Sequence, residues 1–114
     1  MGMDANTQIW LGFKENFYGD LGGILALLPD HLYNELQEYG IIEIGGLKFR
    51  TFNHADELVG FGVELLDRGW RDGPFKVDLT VMAKKVQEMM PSVVNTLKTV
   101  GITNEPNVWL STNL

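Results

Sequence analysis

The sequence predicts an α+β fold in which a four-stranded antiparallel sheet of ferredoxin-like (split βαβ) order has its helices packed on one face. Three features indicate it: matched Trp-Leu segments near the two ends, a diglycine hairpin and a long amphipathic helix. In this order the terminal strands are neighbours. We expect one domain over residues 4–114, and we interpret residues 1–3 as an expression-tag remnant.

The two terminal segments share an apolar-Trp-Leu core and are both predicted to be strands. In the first, Ile9, Leu11 and Phe13 alternate with Gln8, Trp10 and Gly12, the period of two expected of a strand with one buried face. The second, residues 107–112, has the same apolar-Trp-Leu core around Trp109. Trp10 should therefore lie on the face opposite Ile9 and Leu11, where it needs a cover.

A hairpin is predicted around Gly45 and Gly46, because a two-residue turn with positive φ is easy only for residues such as glycine. Residues 41–44 and 47–52 form its strands. The register that pairs Ile44 with Leu47 also sets Glu43 opposite Lys48, so the two faces favour the same pairing.

Helices are predicted between these strands. Asp20 can cap one that includes residues 21–28, a second starts at Pro29 and ends at Gly40, and a third runs from an Asn53 cap to about Arg68. Two interior glycines weaken the third helix, because each costs about 0.5–1 kcal/mol relative to alanine.

The longest periodic segment begins after Asp78, a residue that caps helices well. Apolar residues recur at spacings of three and four up to Val100, which indicates a core-facing stripe. Pro91 should kink or split this helix, and Gly101 with Ile102 matches a Schellman ending.

Composition excludes several classes of function. The formal net charge of −6 disfavours binding to nucleic-acid phosphates, and the lack of cysteine excludes disulfides and thiol chemistry. No apolar run approaches the length of a membrane span, so we expect a soluble, cytoplasmic protein. Residues 1–53 hold seven acids against three bases, which predicts an acidic face attractive to a basic partner.

Two histidines are candidate ligand-binding residues. His31 precedes Glu35 and Glu38 at helical spacings, and His54 precedes Glu57 by three. Either set could place nitrogen and carboxylate ligands on one surface, but the same spacing is typical of a solvated helix start. We therefore predict no metal site, no cofactor and no assembled catalytic residues.

A loop around Asp72-Gly73-Pro74 carries the candidate partner-binding residues. They are Trp70, Arg71, Phe75 and Lys76. Tryptophan and arginine are frequent interface hot spots, whereas the alternative is that the two aromatic residues form a lid over the core.

Two classes of function follow. The leading hypothesis is a protein that binds another protein as an inhibitor, immunity or regulatory factor. The alternative is a small-ligand-binding module or enzyme that uses the sheet face, with Trp10, His31 or His54 in its pocket. A homodimer is expected if Trp10 or Trp109 is left uncovered on the second face.

Overall fold

The described part of the chain has an α+β fold with one antiparallel sheet of five strands and two α-helices. The computed structural model describes residues 6–14, 23–55, 57–69, 73–74 and 76–113. The strands are β1 (Asn6–Lys14), β2 (Ile41–Ile44), β3 (Leu47–His54), β4 (Glu57–Gly69) and β5 (Asn107–Asn113). The helices are α1 (Asp30–Tyr39) and α2 (Leu79–Lys98), and a 3-10 helix spans Gly23–Leu27.

The strand order is β2-β3-β4-β1-β5. The predicted pairing of the terminal strands is confirmed: β1 and β5 are antiparallel neighbours, and Trp10 lies opposite Trp109. The ferredoxin-like order and the count of four strands are not confirmed, because the segment predicted as the third helix contains an additional strand, β4.

The predicted helix from Asn53 to Arg68 is wrong. Residue Asn53 belongs to β3, and Glu57–Gly69 is the longest strand of the sheet. Its large apolar residues Phe61, Val63 and Leu65 lie in the core and alternate with Gly60, Gly62 and Glu64 of the other face, so the period of two prevails over the helical spacing. The glycines that weakened the helix prediction were a signal of this strand.

The hairpin and the boundaries of α1 agree with the sequence, whereas the helix predicted after Asp20 does not keep its predicted form. The register Ile44 to Leu47 and Glu43 to Lys48 is confirmed, and both turn glycines have positive φ. Helix α1 follows Pro29 and ends at Gly40. Of the segment predicted as a helix capped by Asp20, residues 15–22 lie outside the described part, and Gly23–Leu27 is a 3-10 helix.

Helix α2 has the predicted cap and ending. The Asp78 carboxylate accepts hydrogen bonds from the backbone N–H groups of Thr80 and Val81. At the other end the N–H of Ile102 donates to the carbonyl of Leu97, as in a Schellman motif. The helix is one element with Pro91 inside it, so proline does not split it.

The core lies between the helices and one face of the sheet. Aromatic and aliphatic side chains of β1, β3 and β4 pack there against Leu36 of α1 and the predicted stripe of α2. Fully buried members include Leu11, Leu25, Phe49, Phe61, Val93 and Leu97. No helix of the described residues is both long enough and apolar enough to cross a membrane.

The face of the sheet opposite the helices, called here the second face, is covered because the sheet curves over it. The N–H of Thr112 in β5 donates to His54 Nδ1 at 3.0 Å, and the N–H of Ala55 donates to the Thr112 carbonyl at 3.0 Å. Strands β3 and β5 are not neighbours in the sheet, and these residues lie at diagonal corners. Register shifts in the β1–β4 and β3–β4 pairs add the twist that brings the corners together.

Candidate functional site

An aromatic stack crosses the second face of the sheet. The Trp10 ring lies parallel to Phe52 of β3, with centroids 4.7 Å apart, and its centroid is 6.0 Å from that of Trp109 in β5. The intervening strand β4 has Gly60 beneath the Trp10 ring, where a Cβ atom would overlap the indole. The stack therefore requires a glycine at this position.

The two indole N–H groups of this stack are both satisfied. Trp10 Nε1 donates to Ser111 Oγ at 3.1 Å, and Trp109 Nε1 donates to the carbonyl of Gly12 at 3.0 Å. Trp10 is 1% exposed, so the predicted need for a cover is met within the chain. An uncovered Trp10 therefore does not supply the predicted reason for a homodimer.

A cavity of about 230 Å³ opens beside this stack. Its apolar walls come from Trp10, Trp109, Val59 and Leu110, and its polar lining comes from Lys14, His54 and Ser111. Of the ligand-binding residues that the sequence predicted, the structure thus brings Trp10 and His54 together. His31 is exposed on α1 and does not line this cavity.

Each polar side chain of the cavity has an N–H or O–H group that can donate to a ligand. His54 Nδ1 accepts from the Thr112 N–H, so the proton of the neutral ring is on Nε2. Ser111 is 3% exposed, and its oxygen accepts from Trp10 while its own hydroxyl proton has no acceptor among the described residues. The Lys14 ammonium forms no ion pair within the described part of the chain.

Sequence reasoning did not select five of the cavity residues: Lys14, Val59, Trp109, Leu110 and Ser111. A signal for part of this set existed, because the period of two places Lys14 on the same face as Trp10 and Ser111 on the same face as Trp109. The sequence selected His54, but no such signal predicted its position beside Trp10. That position depends on the approach of two strands that are not neighbours in the sheet.

The predicted partner-binding loop is largely outside the described part of the chain. Trp70, Arg71 and Phe75 lie there, and their roles stay predictions. Lys76 is exposed and lines a separate depression of about 280 Å³ beside the start of α2.

The predicted histidine and carboxylate sets do not form metal sites in the described structure. His54 and Glu57 are opposite residues of β3 and β4, rather than neighbours on a helix face. No group of three or more histidine or acidic side chains suited to a metal ion occurs among the described residues.

A second cavity, of about 350 Å³, includes Arg50 and the buried Gln8 in its lining. Its cation is already engaged: Arg50 lies 3.5 Å from the Glu64 carboxylate and stacks over the Phe52 ring. Burial raises the pKa of the Glu64 carboxyl, Arg50 opposes that rise, and Asp67 adds to it. The cation of this cavity is therefore less available to a ligand than Lys14 is in the cavity beside Trp10.

An acidic edge lies at the opposite end of the sheet. It consists of β2 and the exposed acids Glu35 and Glu43, which line a shallow cavity of about 260 Å³ with Ile41 and the base Lys48. The expected acidic face of the first half of the chain stays a prediction.

Comparison with known proteins finds no matching family model, no matching curated protein and no matching solved structure.

Proposed function

We propose that the protein is a small-ligand-binding module that uses the second face of its sheet. The observation that carries the proposal is the cavity in which the diagonal closure of the sheet places His54 beside Trp10. Apolar walls with a few convergent polar groups are characteristic of ligand sites. No group of the described cavity is arranged as a nucleophile with its base, so binding is favoured over catalysis.

The proposal is tested by screening planar fragments against the intact chain. We expect a bound fragment to shift the NMR signals of the Trp10 and Trp109 indole N–H groups, because both rings line the cavity. His54→Ala should weaken binding about tenfold, the effect of removing one good polar contact.

His31→Ala is the matched control, since His31 is also exposed but does not line the cavity. The melting temperatures of both variants show whether weaker binding comes from the lost ligand contact or from loss of the hydrogen bond between His54 and Thr112. Equal binding by the two variants, or a screen without any indole shift, would contradict the proposal.

Protein binding at the acidic edge is the second candidate. Ile44 and Leu47 flank the two-residue turn, and the Thr51 N–H donates to the Gly40 carbonyl. Along an antiparallel ladder, residue pairs that exchange backbone hydrogen bonds alternate with pairs that do not. The backbone N–H and C=O groups of Ile41 and Glu43 therefore point away from β3, toward the open edge of the sheet. An extended basic segment could add to this edge as a strand.

A peptide of alternating lysine and valine tests this second function. We expect it to shift the backbone amide signals of Ile41 and Glu43, and to bind about tenfold more weakly to Glu43→Lys. Glu88→Lys, an exposed acid of α2, is the control. If the affinity for the peptide changes neither with salt concentration nor in Glu43→Lys, a charge-guided interaction at this edge is excluded.

A further inference from the structure

The donors that line the cavity beside Trp10 point to the chemical class of its ligand. We infer that the cavity binds a small planar monocarboxylate, with the carboxylate held by Ser111, Lys14 and His54 and the planar group between the apolar walls. This inference rests on the proposed ligand-binding function and specifies its ligand.

The buried hydroxyl of Ser111 is the strongest indication. It is almost completely removed from solvent, it lines the cavity, and its proton has no acceptor among the described residues. A buried donor without an acceptor loses the free energy of a hydrogen bond. A ligand oxygen in the cavity would accept that proton.

The charge of the lining favours an anion. Lys14 and His54 supply an ammonium group and an N–H donor, and no acidic side chain is among the described residues of the lining. Hydrogen bonds from charged donors to carboxylates are about twice as strong as neutral ones. The negative net charge of the chain is distributed elsewhere, including on the acidic edge about β2.

The size and walls of the cavity limit the rest of the ligand. Its volume of about 230 Å³ holds a single small ring with its substituent, and it is smaller than the sites that bury larger ligands. The partly exposed Trp109 ring and the aliphatic Val59 offer apolar contact, whereas Trp10 is 1% exposed and lies behind them in the wall. Benzoate is therefore the simplest probe that combines both parts.

The test compares benzoate with benzamide, which has the same shape without the charge. We expect benzoate to bind at least tenfold more tightly, and the Trp10 indole N–H signal to shift, because Ser111 connects that N–H to the carboxylate. Lys14→Gln should reduce the affinity for benzoate about tenfold and leave benzamide unaffected.

Lys48→Gln is the matched control, since Lys48 is an exposed lysine of β3 that faces Glu43 instead of the cavity. Ser111→Ala should also weaken benzoate binding, and its melting temperature is compared because Ser111 accepts from Trp10.

Three results would overturn one or both proposals. Equal affinity for benzoate and benzamide would overturn the carboxylate inference and leave a neutral-ligand module. Benzoate binding that Lys14→Gln does not change would overturn it as well. Failure of both probes and of every other planar fragment to shift the indole signals would overturn the ligand-binding function itself.

Discussion

Gly62→Ala is expected to lower the free energy of unfolding by about 3 kcal/mol, the upper range for overpacking a well-packed site. A Cβ atom on Gly62 would overlap the Leu11 carbonyl oxygen and lie 2.7 Å from the Cα atom of Gly12. These atoms belong to the backbone of β1, so relief requires the β1–β4 pair to separate. Chemical denaturation followed by tryptophan fluorescence measures the change.

Gly46→Ala provides the comparison for this variant. Its Cβ would meet no atom within 4 Å, but the φ of +82° is unfavourable for alanine and should cost about 1 kcal/mol. If the two variants lose the same stability, the close approach of β1 and β4 at Gly12 and Gly62 is wrong.

Trp10→Ala is expected to lower the free energy of unfolding by about 3–5 kcal/mol, as is typical when a buried large side chain is removed. The change removes the ring that packs against Phe52 and Trp109, and it leaves Ser111 without its indole donor. Trp109→Ala should cost less, because Trp109 is only partly buried. Similar losses for the two variants would contradict the central position of Trp10.

A double-mutant cycle with Gly60→Ala isolates the contact beneath the ring. A Cβ on Gly60 would lie 2.6 Å from Cζ2 and 2.7 Å from Cζ3 of Trp10, so Gly60→Ala alone should destabilise the protein. In the Trp10→Ala background this clash is gone, and the same change should be nearly neutral. Trp10→Leu is the alternative background if Trp10→Ala does not fold.

The same tryptophan stabilises the second face and forms a wall of the candidate site. Binding in the cavity should therefore raise the melting temperature, and the stabilisation should grow with the logarithm of the ratio of ligand concentration to Kd. The Ser111 hydroxyl links these two roles, because it accepts from Trp10 inside the second face and lines the cavity.

Local rules were sufficient where one segment decides its own structure. The diglycine turn fixed the β2–β3 register, and the Asp78 cap and the Gly101 ending fixed the bounds of α2. The patterns of the two Trp-Leu segments also predicted that each is a strand. In each case neighbouring residues supply the hydrogen bonds or the apolar face that the element needs.

Strand β4 shows where local rules failed. Its apolar residues also occur at spacings compatible with a helix, and Asn53 suggested a cap. The strand form is favoured because Gly60 and Gly62 accommodate the Trp10 ring and the β1 backbone, two partners about 50 residues away along the chain. In the sequence alone an interior glycine indicates only a weak helix, because the distant group that packs against it is not known.

The sequence by itself determined a diglycine hairpin, a capped α2 helix and a tryptophan on the face opposite Ile9 and Leu11, because these depend on short-range patterns. The matched Trp-Leu segments and the order of the elements also predicted an α+β chain with adjacent terminal strands. Only the tertiary structure decided the five-strand order and the site. The reason is that Thr112 meets His54 and Ala55 across strands that do not pair, so the cavity depends on the twist of the whole sheet.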